Sequence, residues 1–129
     1  MLYKYILRRG VRGVFIFFEI EELTDFVLID SDILINEDVF LRVDKLILNP
    51  RRQILISWFI KGITDVVELI DKIRDKKICI HVKSIDFNVA HFQEECLYLA
   101  IQEWLGSYYK IEIPIKEVQW DDLNSKFQF

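Results

Sequence analysis

The sequence predicts an α+β fold: a largely antiparallel sheet with two helices packed on one of its faces. Three observations predict it. The apolar residues are mostly β-branched or aromatic, with 20 isoleucines, 10 valines and 14% aromatics against alanine only at Ala90 and Ala100. That mix suits a pleated, half-buried surface better than a helical bundle. The first half is a series of short apolar runs broken by polar corners, and the second half changes to helical spacing. A length of 129 residues fits one domain over 1–129, large enough to bury a core without a disulfide or metal. With 52% apolar residues, four glycines and two prolines, the chain lacks the composition of a disordered one.

The elements follow in order. Residues 14–21, 26–29, 33–35 and 39–48 read as strands. The corners between them hold Glu22 and Asp25, then Asp30, Ser31 and Asp32, then Asn36, Glu37 and Asp38. Asp, Asn and Ser favour turns because their side chains bond nearby backbone. After the turn signal Asn49-Pro50, the nearly all-apolar run 53–60 reads as a further strand. Together these suggest an N-terminal meander of about four strands. Val66, Leu69, Ile70 and Ile73 then repeat at i, i+3, i+4 and i+7, an amphipathic helix. Thr64 or Asp65 is placed to cap it, with Glu68 completing the box from Asp65. Residues 78–83 read as a strand. Asn88 is placed to cap a long helix over 89–105, closed by Gly106. Residues 111–118 alternate and read as an edge strand bearing Pro114. The aromatic tail 119–129 is expected to dock on the body or on a partner. The order after the meander is therefore α-β-α-β.

Charge is distributed in blocks beneath a net value of −4. Residues 1–18 carry four bases and no acid, whereas 19–44 carry nine acids and one base. Glu19, Glu21, Glu22, Asp25, Asp30, Asp32, Glu37 and Asp38 cluster at strand ends and corners. At one end of a meander such corners meet, so these eight are the candidate partner-binding rim. A negative rim attracts a basic partner and speeds its association, and Phe18, Phe26 and Phe40 stand near as candidate anchors.

Other chemistry is weakly spelled. Cys79, His81, His91 and Cys96 have zinc-ligand chemistry, but His91 and Cys96 lie roughly 140° apart on a helix, too far round to share an ion. No metal or other cofactor is expected. Asp30-x-Asp32 opens like an EF-hand loop but lacks its glycine and closing glutamate. His91 with Glu95, four residues on, is the best spelling of a general base, with His81 as the other candidate. There is no Gly-x-Ser-x-Gly, and no helix start follows Gly10-Val11-Arg12-Gly13, so nucleophile-elbow and phosphate-loop signatures are missing. Three basic clusters stand near Tyr3, Tyr5 and Trp58, but the acidic balance speaks against nucleic acid. The longest charge-free apolar run, 53–60, is far short of the ~20 residues a membrane helix needs. Neither a secretory leader nor a disulfide framework is spelled, so the cytosol is the expected compartment.

This profile, a small acidic domain without a catalytic motif, is similar to that of small bacterial immunity proteins. The resemblance implies a non-enzymatic cytosolic inhibitor that neutralises a toxin by binding it, with a basic toxin or nuclease domain as partner. The alternatives are a small enzyme using His91 with Glu95, or an oligomeric structural subunit joined through 111–118.

Overall fold

The computed structural model describes residues 2–9, 12–45, 52–87, 93–114, 118–121, 123–124 and 126–129. The fold is α+β. Strands β1 (Leu2–Arg9), β2 (Arg12–Leu23), β3 (Ile33–Leu34), β4 (Val39–Lys45) and β5 (Ile78–Phe87) form one sheet in the order β1-β2-β5-β4-β3. The β4–β5 pair is parallel and every other pair antiparallel. Helices α1 (Arg52–Thr64) and α2 (Val67–Asp71) link β4 to β5. Helix α3 (Cys96–Tyr109) and a hairpin of β6 (Gln119–Asp121) and β7 (Lys126–Gln128) follow.

The sheet is not an N-terminal meander. β5 lies between β2 and β4, and the intervening helices return the chain in the direction of β4. Such a crossover makes a parallel neighbour. Position explains the choice of central strand, since Ile78, Cys79, Ile80 and Val82 have no exposure. β1 also joins the sheet, although Lys4, Arg8 and Arg9 hide its alternation: Tyr5 and Leu7 are buried while Leu2 and Ile6 point to the other side.

Residues 53–60 are helical rather than a strand. A continuous apolar run fits either period, and burial decides it here. Leu55, Ile56, Phe59, Gly62 and Ile63 form one buried helical stripe. That stripe meets α3 closely at Gly62, where an added Cβ would lie 2.3 Å from Ile101 Cγ2. Gln102, also buried, donates to the Gly62 carbonyl at 3.3 Å. Helix α2 is shorter than its spacing suggests and begins after Val66 without a side-chain cap. Asp65 instead accepts the Tyr98 hydroxyl at 2.5 Å, which ties the end of α1 to α3.

Helix α3 starts at Cys96 and runs through Gly106 to Tyr109, ending on Lys110 in the left-handed region at φ 55°. Gly106 is therefore not its terminus. The expected cap Asn88 and the segment 88–92, with His91, lie outside the described residues. Residues 111–114 form no strand, so the described part of 111–118 supplies no edge. The tail docks as expected: Phe127 is buried, and Gln93 bonds both its backbone groups like a one-residue strand. One contiguous core lies between the helices and one sheet face, with Trp104, Phe18 and Phe59 its largest fully buried members. Alternation turns Phe40, Arg42, Asp44, His81 and Lys83 to the opposite face, helix-free among the described residues.

Candidate functional site

Residues 24–38 run from β2 to β4 around β3, and an inside-out arrangement marks them. Residues 26–29 read as a strand in the sequence but form an irregular loop. Only Phe26 turns inward, packing edge-on against Phe40 with ring centres 5.8 Å apart. The next three residues face water, with Val27 82%, Leu28 52% and Ile29 49% exposed, and Leu34 of edge strand β3 adds 63%.

This crest is stiffly held. The guanidinium of Arg42 on β4 grips Asp32 in a fork, Nε to Oδ1 at 2.7 Å and Nη2 to Oδ2 at 2.8 Å. The same Nη2 donates to the Val27 carbonyl at 2.9 Å, and Asp32 Oδ2 accepts the Ile29 amide at 3.0 Å. A backbone bond from the Asp32 amide to the Ile29 carbonyl closes the turn. The Asp32 side chain is only 2% exposed. Its carboxyl is held below the usual range, chiefly by Arg42, whose own pKa rises in return. The second corner is fixed by Asn36. Its Oδ1 accepts the amides of Asp38 and Val39, and its Nδ2 donates to Asp71 at 2.8 Å. Asp25 and Asp30 beside the crest, and Glu37 and Asp38 at the second corner, remain exposed.

The other acids of the sequence-derived set sit differently. Glu22 turns to the helix face, where it accepts from Arg74 at 2.9 Å and from the Tyr109 hydroxyl at 2.5 Å. Burial, then that bond to a carboxylate, pushes the Tyr109 pKa up. Glu21 lies on the helix-free face, 3.1 Å from Lys83 Nζ and 3.2 Å from His81 Nδ1. Lys83 first, and His81 after it, hold its carboxyl low. Glu19 is exposed on the same face, opposite Ser84. Asp32 serves inside the staple. Asp25 and Asp30 thus flank the crest in the chain, Glu37 and Asp38 are exposed at the turn between β3 and β4, and Glu19 and Glu21 lie on the sheet.

The candidate histidine His81 is nearly buried among charges. Its Nδ1 pairs with Glu21 at 3.2 Å, while its Nε2 lies 2.8 Å from Asp44 Oδ2 without a hydrogen bond, so the ring sits between carboxylates of the two neighbouring strands. Glu95 precedes α3, and its proposed partner His91 is outside the described residues. Cys79 and Cys96 are buried free thiols whose pKa values burial pushes up to about 11 and about 12. Among the described residues no cluster of three or more His, Cys, Asp or Glu is placed to hold a metal, and no helix is long and apolar enough to cross a membrane.

Sequence reasoning missed the anchors. Phe18 is wholly buried, and Phe26 and Phe40 pack on each other, so the exposed apolar groups are Val27, Leu28, Ile29 and Leu34. Their signal was faint: an apolar run too short to alternate, ended by Asp-Ser-Asp. No protein family, characterised protein or solved structure matches the chain.

Proposed function

We propose that the chain is a non-enzymatic binding protein of the toxin-neutralising immunity kind, acting in the cytosol on a basic protein through segment 24–38. One observation carries the reading: three consecutive aliphatic residues are stapled in an exposed crest flanked in the chain by the exposed Asp25 and Asp30. Fully burying an exposed aliphatic side chain is worth about 1.5–3 kcal/mol, so a partner gains most of that at Val27 and about half of it at each of the half-exposed Leu28 and Ile29. A stiff crest also loses little entropy on docking. The four acids add steering toward a positive surface.

The test uses affinity capture from the native host, followed by binding kinetics with the protein recovered. Leu28→Asp should speed dissociation. Reversing Asp25, Asp30, Glu37 and Asp38 to lysine should slow association and flatten its salt dependence. Glu22 is excluded from this set because it is held by Arg74 and Tyr109. A basic partner whose binding ignores both variants would overturn the reading.

A further inference from the structure

A separate surface, independent of the crest, lies at the opposite edge of the sheet. β1 has no strand beyond it among the described residues. It pairs with β2 in unbroken register from Leu2 opposite Glu19 to Arg9 opposite Arg12. In an antiparallel pair, alternate residues direct their N–H and C=O groups away from the neighbour. The outer side of β1 is therefore a template for another strand.

Proteins protect such edges with proline, a bulge, an outward lysine or a very short strand. β3, at the other edge, has two residues, and the Arg42–Asp32 staple lies beside it. β1 has eight residues, no proline and no register shift. Its one lysine, Lys4, is exposed and leans toward the neighbouring strand, with Nζ over the ring of Phe17 at 5.5 Å from the centroid. On either side of Lys4, Leu2 and Ile6 are 72% and 44% exposed.

Charge selects the occupant. β1 carries Lys4, Arg8 and Arg9 and no acid. Pairing with β1 of a second copy would bring only further bases to this edge and no carboxylate. A strand alternating carboxylates with branched aliphatics would bring opposite charge to that edge, and would lay apolar groups beside Leu2 and Ile6. We propose that β1 docks an extended acidic segment of a partner protein as a sixth strand of the main sheet, by strand addition.

The experiment titrates the full chain with a short synthetic peptide of alternating glutamate and valine, and with its lysine–valine counterpart, while following amide hydrogen exchange. The acidic peptide should slow exchange at alternate β1 amides, those facing away from β2, and bind less tightly as salt is raised. Lys4→Glu, an exposed change checked for intact fold by circular dichroism, should weaken it about fivefold. The lysine peptide should protect nothing in β1. Unchanged exchange in β1 at the highest soluble acidic peptide, or equal protection by both peptides, would overturn the proposal. So would a dimer whose β1 amides are protected without peptide, which would assign the edge to a second copy.

Discussion

Replacing Arg42 by alanine should loosen segment 24–32 while leaving the sheet in place. The guanidinium makes three hydrogen bonds, two to Asp32 and one to the Val27 carbonyl. Bonds to charged groups contribute about 1.5–3 kcal/mol each, but bonds from one group are not additive. Removing one partner of a buried ion pair costs about 3–5 kcal/mol. Arg42 is 14% exposed, and Asp32 is 2% exposed on a surface loop. Once freed, the carboxylate can turn to water, which recovers part of that cost. The worked expectation is a loss of about 2–4 kcal/mol, placed between those two limits.

Two measurements check it. Urea unfolding should show a lower midpoint with an unchanged slope, since the buried surface of the sheet is retained. Amide exchange should accelerate at Ile29 and Asp32, whose amides are bonded to Asp32 Oδ2 and the Ile29 carbonyl, before it does in β5. Arg42→Lys keeps the charge but not the planar fork, so it should fall between the two. An Arg42→Ala protein with native midpoint and native protection at both amides would refute the claim that this pair holds the crest.

Two further outcomes follow from the packing and the charges. Gly62→Ala gains about 1 kcal/mol of helix propensity but sets a Cβ 2.3 Å from a methyl of β-branched Ile101. Overpacking of about 1–3 kcal/mol should then dominate, read as a lower thermal midpoint. Asp32, its pKa depressed by Arg42, favours the folded state above the ordinary aspartate range near 3.9. That contribution should vanish as pH falls through the lower folded value. Asp32→Asn should therefore flatten the acid limb of a stability–pH curve, and an unchanged limb would count against the assignment.

The class of fold was legible in the sequence because β-branched enrichment and the later helical spacing are local signals. What was illegible depended on distant partners. Residues 53–60 carry no periodicity, and only their contact with α3 makes them a helix. Asp65 spells a cap, but the Tyr98 hydroxyl engages it instead. The position of β5 between β2 and β4 has no sequence signature. The candidate site was half legible. Acids at corners are visible as letters. Which of them meets an arginine is not: Glu22 and Asp32 look like Asp25 and Asp30 until Arg74 and Arg42 arrive from elsewhere in the chain.

The central place of β5 also sets the order in which the molecule can assemble. By the time a ribosome has made residue 45, the β1–β2 hairpin and the β3–β4 pair both have their residues, yet no strand lies between them. The inner edges of β2 and β4 stay open until residues 78–87 emerge and slot between them. Contacts of such sequence separation slow folding and lengthen the exposure of unpaired edges. A nascent chain stalled before β5 thus holds two pieces of sheet joined only through segment 24–32 and its contacts with β4, and the last inserted strand closes the sheet.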